Sequence, residues 1–186
     1  MITPNDFRAG LLLRYRDDIW EVIEYQRVKS AQRRALVRTK FKHLMSGRVV
    51  EESLSSDEKF EELEVERRRC QYLYNDGEHY HFMDSEHYDQ FIISKEILGD
   101  KTLYLTENVE VNVLYIGGKP LTMEVPTFVD LTVIETQPDY KGDTATGGGK
   151  PAKLETGLVV SVPFFIAVGT KIRVDTRTNT YVERVG

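Results

Sequence analysis

Cysteine is almost absent from this chain, with Cys70 the only one among 186 residues. A lone thiol excludes an intrachain disulfide and a zinc site built from several cysteines. Long apolar runs are missing too. The longest, from Leu158 to Val168, is interrupted by Ser161 and Pro163 and falls well short of the roughly 18–20 residues a membrane-spanning helix needs. The N-terminal Met1-Ile2-Thr3-Pro4-Asn5-Asp6 has no basic segment leading into an apolar one, so the expectation is a cytoplasmic protein with no secretory signal and no membrane partner. No long 3.6-residue hydrophobic period occurs, which argues against an α/β fold.

Aromatic and β-branched residues are plentiful. Ten Tyr and eight Phe, within a hydrophobic fraction of 40%, describe a packed chain rather than a disordered one. The length suits one ordinary domain or two to three small ones. Ile19 to Val28 and Ala35 to Leu44 read as two strands joined by a polar loop from Lys29 to Arg34. A second hairpin is marked by Gln71 to Tyr74, the turn Asn75-Asp76-Gly77, and His79 to Phe82, because Asp-Gly supplies the positive φ of tight turns. Ser94 is placed to cap a single helical turn that Gly99 ends. Further strands are predicted at Val109 to Ile116, Leu121 to Val125, Phe128 to Thr136, Leu158 to Phe165, Lys171 to Thr176 and Tyr181 to Arg184. Many short strands favour small barrels, here three modules at residues 1–64, 65–128 and 129–186. Modules of about 60 residues are marginal alone, so at least two should share an interface. The stretch Glu58 to Glu66 reads as a solvated acidic linker, and V-P-x-F at Val125 to Phe128 and Val162 to Phe165 as a weak internal echo.

Charge is distributed unevenly. The chain carries a formal net charge of −5, yet Arg27, Lys29, Arg33, Arg34, Arg38, Lys40, Lys42 and Arg48 fall in one segment that has no Asp or Glu. Period-two geometry puts Arg38, Lys40 and Lys42 on one strand face, opposite Val37, Thr39 and Phe41. A basic stripe leading to a basic tip is suited to phosphate; a solvated face that merely keeps the chain soluble is the bland alternative.

Catalytic patterns fail. A phosphate loop would need Gly where Thr144 stands and Ser or Thr where Pro151 stands. Neither G-x-S-x-G nor H-E-x-x-H occurs, and Cys70 has no positioned base. His79 and His81 share a strand face and could take a metal with His87, Asp84 or Glu86, although solvated hairpin histidines explain them as well. The glycine-rich stretch from Asp139 to Lys150 reads as a binding loop or a linker.

Longer motifs carry a resemblance. Lys150-x-Ala152-x-x-x-x-Gly157-x-x-Val160-x-Val162-Pro163-x-x-Ile166-x-x-Gly169, preceded by Gly142-Asp143-Thr144-Ala145-Thr146-Gly147-Gly148, resembles the signature of bacterial translation elongation factor P. Tyr72-Leu73-Tyr74-Asn75-Asp76-Gly77, Phe82-Met83-Asp84 and Lys171 to Thr178 are similar to that family as well, and the likeness runs from Asn5-Asp6-Phe7 to the end. What it implies is an all-β chain of three barrels, an N-terminal SH3-like (KOW-like) module and two OB-folds, in an L-shaped arrangement like a tRNA. The family binds the ribosome between the peptidyl and exit sites and helps peptide bonds form at consecutive prolines. It is not an enzyme with a catalytic residue, and the resemblance implies no cofactor and no metal.

By the same carry-over the tip Lys29, Ser30, Ala31, Gln32, Arg33 and Arg34 would reach the acceptor end of peptidyl-tRNA. Arg27, Arg38, Lys40 and Lys42 would meet RNA backbone, and Gly142, Asp143 and Thr144 would lie by the exit codon of the mRNA and the small subunit. Partners would be both ribosomal subunits and peptidyl-tRNA, with the factor a monomer. Gln32 departs from the family, whose tip usually carries a Lys or Arg that is enzymatically extended. A neutral amide cannot accept that extension, so the expectation is an unmodified tip in which Arg33 or Arg34 supplies the cation. The alternatives are an OB-fold RNA-binding protein acting off the ribosome, a divergent paralogue, and a small metalloenzyme around His79 and His81.

Overall fold

Strand formation follows the alternation of apolar and polar residues. The computed structural model describes residues 1–29, 35–138 and 148–186. Among these, three five-stranded antiparallel sheets account for most of the chain. The tip residues Ser30, Ala31, Gln32, Arg33 and Arg34, and the loop residues Gly142, Asp143 and Thr144, lie outside the described residues.

The first sheet contains β1 (Leu12–Tyr15), β2 (Asp18–Val28), β3 (Leu36–His43), β4 (Val49–Ser55) and β5 (Glu61–Glu62), in the order β4-β3-β2-β1-β5. Its core gathers Phe7, Leu13, Trp20, Val22, Phe41 and Phe60. Phe41 is fully buried and meets Phe7, Tyr15 and Trp20 with ring centroids 6.2, 5.5 and 6.3 Å away, the offset and edge-on geometries that aromatic quadrupoles favour. Glu61 and Glu62 belong to this sheet and are not a linker. They pair with β1 and accept from Arg14 at 3.1 Å and Arg8 at 2.8 Å.

The second sheet contains β6 (Val65–Asn75), β7 (His79–Asp84), β8 (Gln90–Ser94), β9 (Glu110–Ile116) and β10 (Lys119–Glu124), in the order β10-β9-β6-β7-β8. The turn between β6 and β7 has Gly77 at φ +100°, and Asn75 accepts from its backbone N–H at 3.1 Å. Ser94 caps the single helical turn α1 (Lys95–Leu98) by accepting from Ile97 N–H at 3.3 Å. A 3-10 helix at Gly99–Tyr104 follows.

The third sheet contains β11 (Phe128–Thr136), β12 (Lys150–Leu154), β13 (Val159–Val162), β14 (Lys171–Asp175) and β15 (Thr180–Arg184), in the order β13-β12-β11-β14-β15. Tyr104 and Leu103, which precede β9, join its core beside Leu131, Val133 and Ile172. The Tyr104 hydroxyl donates to the Asn179 carboxamide, and the Thr156 hydroxyl to Leu103 C=O at 2.5 Å. The 3-10 helix that precedes β9 thus packs against the core of the third sheet. The two V-P-x-F stretches are not equivalent: one enters β11 and the other leaves β13.

By compactness the chain forms two units, Met1–Arg67 with Leu114–Thr122, and Arg68–Val113 with Met123–Gly186. No helix among the described residues is long and apolar enough to cross a membrane.

Candidate nucleic-acid interface

The basic stripe is built as its alternation requires. Val37, Thr39 and Phe41 are buried while Arg38, Lys40 and Lys42 turn away from the core. Arg27 and Lys29, at the end of β2 and just beyond it, are exposed, and Arg27 donates to Asn5 C=O at 2.8 Å.

Across the strands the stripe is not a bare row of cations. Lys40 stands between Glu24 of β2 and Glu51 of β4 in the register, and its ammonium is 2.9 Å from a Glu24 carboxylate oxygen. That contact and its charge, with Glu51 adding to it, raise the Lys40 pKa above 10.5. Arg38 Nε lies 3.5 Å from Glu51, and Lys42 is opposite Glu21. Residues 1–64 as a whole carry twelve basic and twelve acidic groups. The acids are supplied by neighbouring strands, where a count along one segment cannot find them.

Glu24 reaches Lys40 because β2 is bulged. The register steps from Val22 opposite Phe41 to Glu24 opposite Lys40, leaving Ile23 as the extra residue. Such a bulge re-aims the side chains beyond it. Trp20 and Val22 point into the core, and plain alternation would send Glu24 after them; the bulge turns it outward, where it is exposed.

The second candidate region is the connection from β11 to β12. Lys150 is not an exposed loop cation but a strand residue only 3% exposed, donating its ammonium to Gln137 C=O. Thr136 Oγ1 donates to Pro151 C=O at 3.0 Å. Gly149 beside it has no room for a side chain, since a Cβ there would stand 2.4 Å from Val162 O. The two ends of the loop are therefore clamped together.

The histidine hairpin is organised around Asp76. His79 and His81 both face the Asp76 carboxylate, at 3.4 and 3.7 Å. His87 instead donates its backbone N–H to Asp84 at 3.1 Å. Among the described residues no group of three His, Cys, Asp or Glu side chains is placed to share an ion. His81 stacks on Tyr74 with centroids 4.2 Å apart. Cys70 is buried within β6, its thiol 3.6 Å from Arg68 C=O. An open cleft of about 960 Å³ lined by Tyr72, Tyr74, Asp100, Glu107, Glu155 and Lys171, among others, mixes both signs of charge.

Comparison with known proteins settles the family. Residues 3–60 match the "Elongation factor P (EF-P) KOW-like domain", residues 65–123 the "Elongation factor P (EF-P) OB domain", and residues 129–184 "Elongation factor P, C-terminal". The chain belongs to the elongation factor P family of translation factors. It is 50% identical to Elongation factor P of Thermodesulfovibrio yellowstonii over 185 residues, covering 100% of this chain and 99% of that one. Elongation factor P of Pelotomaculum thermopropionicum is 49% identical over 185 residues, with both chains covered fully. The solved structure of eukaryotic translation initiation factor 5A from Methanococcus jannaschii superposes with a TM-score of 0.51 at 16% identity, covering 66% of this chain and 92% of that one. That last likeness concerns the fold alone, and it agrees with the KOW-like and OB architecture of the family.

Proposed function

We propose that this elongation factor binds the ribosome between the peptidyl and exit sites, steadies peptidyl-tRNA and speeds peptide bond formation at consecutive prolines. Support comes chiefly from one observation, the match of all three elongation factor P domains in order along a chain about half identical to its relatives. Its domains are taken as residues 1–64, 65–128 and 129–186.

The tip from Lys29 to Arg34 is assigned to the acceptor end of peptidyl-tRNA, with Arg27, Arg38, Lys40 and Lys42 on RNA backbone. Gly142, Asp143 and Thr144 are assigned to the exit codon and the small subunit. The factor acts in the cytoplasm as a monomer and without a cofactor. Its effect needs no proton donor. Proline is a poor nucleophile limited by orientation, and holding two reactants in an attack geometry can lower a barrier by several kcal/mol, with about 7–11 as the extreme. Synthesis in vitro of a peptide with three successive prolines, with and without the protein, tests this: faster synthesis is expected, and an unchanged rate would refute it.

Gln32 favours a second reading, a paralogue whose tip is weakened because it lacks the modifiable cation. Replacing Gln32→Lys in the same assay separates the two. A strong gain favours the paralogue, and little change favours a tip that already suffices.

A further inference from the structure

Three observations on the first sheet converge. Arg38 and Lys40, which face outward on β3, already have carboxylate partners in the free protein. Those partners are exposed, with Glu24 and Glu51 side chains 68% and 49% accessible, so both carboxylates are open to solvent. And Glu24 reaches its place through a bulge at Ile23, which sacrifices regular ladder pairing to turn an acid toward the cationic face.

A carboxylate and a phosphate offer a lysine or arginine the same thing, anionic oxygens that accept charge-assisted hydrogen bonds. We propose that Glu24 and Glu51 are built-in stand-ins for RNA phosphate, making them specificity-determining residues of the basic hairpin. The idea rests on the reading that this hairpin meets RNA. A phosphate arriving at Arg38 or Lys40 competes with a carboxylate already beside the cation, and full contact returns that carboxylate to water. Contact there is an exchange rather than a net gain, and few condensed counterions are released by it. Indiscriminate single strands, which bind by charge alone, gain little along the stripe. A correctly shaped RNA surface can still displace both acids, because exposed pairs are weak and screened by salt.

The test needs no ribosome, so its failure is distinct from failure of the translation reading. Binding of a fluorescently labelled, mixed-sequence single-stranded RNA of about 20 nucleotides is followed by anisotropy from ~50 to ~200 mM KCl, over which log affinity falls linearly with log salt. Glu24→Gln with Glu51→Gln is expected to steepen the salt slope by about 1.4, at roughly 0.7 for each of two freed cations. Affinity at the low-salt end should rise several-fold. Adding Arg38→Gln and Lys40→Gln should return the slope to that of the parent protein. Glu78→Gln with Glu86→Gln, exposed acids in the turns on either side of β7 that make the same change in net charge, should not reproduce the gain. Identical slope and affinity for the parent and the E24Q/E51Q protein would overturn the proposal. So would a gain that survives loss of Arg38 and Lys40, or one matched by the E78Q/E86Q protein. The circular dichroism spectrum and melting temperature of each variant verify that it is folded.

Discussion

Glu24 and Lys40 face each other across β2 and β3 at 2.9 Å, and they do so because one extra residue, Ile23, shifts the register between them. The pair is exposed and therefore screened by salt and water. Glu24→Gln alone should leave the urea midpoint nearly where it is, because exposed ion pairs contribute little to folding. A large loss of stability would mean that the carboxylate anchors the bulge rather than guarding the cation.

Phe41 is the opposite case, fully buried among Phe7, Tyr15 and Trp20. Phe41→Ala removes that packing and should cost about 3–5 kcal/mol. Urea unfolding followed by fluorescence of Trp20, the only tryptophan, reads this directly. A loss near zero would contradict the packing described for the first sheet.

Gly149 should tolerate no side chain. A Cβ would meet Val162 O and the Ser161 hydroxyl oxygen at 2.4 and 2.6 Å, so Gly149→Ala should destabilise by about 1–3 kcal/mol, the usual cost of overpacking. Amide exchange is expected to quicken at Lys150 to Leu154 on β12. Unchanged exchange and stability would show that the neighbouring strand yields without cost.

Asp76 provides the pH dependence. Its carboxylate accepts backbone N–H bonds from His79 at 2.8 Å and Glu78 at 3.1 Å, with the nearby His79 ring adding to them, and its pKa falls from 3.8 to about 2. A depressed carboxyl contributes stability that is fully present above 3.8 and is lost as pH falls through about 2. Carbon-13 titration of the Asp76 carboxyl should therefore show a midpoint near 2. Asp76→Asn should flatten the acid limb of stability in that window. A midpoint at the ordinary aspartate value would mean the turn does not hold the anion.

The second hairpin was legible in the sequence because Asx residues and a glycine fix its turn at Asn75-Asp76-Gly77. So was the outward face of Arg38, Lys40 and Lys42, because alternation is strict there. Glu61–Glu62 was not legible as a strand, since its partners Arg8 and Arg14 lie some fifty residues away and acidic residues have low strand propensity. The burial of Lys150 in β12 is not legible in the sequence, because it depends on Gln137 C=O, a backbone group with no signature in side-chain identity. The acids opposite the basic stripe are hidden from a sequence reading for a similar reason. A bulge cannot be seen in a periodicity count, and without it Glu24 belongs to the wrong face.

Cations at the hairpin tip are proposed to hold peptidyl-tRNA in a reactive geometry. The most direct test is the rate of synthesis through three successive prolines with Arg33 and Arg34 both replaced by Ala. The parent protein should accelerate synthesis, and the double variant should lose most of that acceleration while remaining folded. Equal acceleration by the two proteins would contradict this role of the tip.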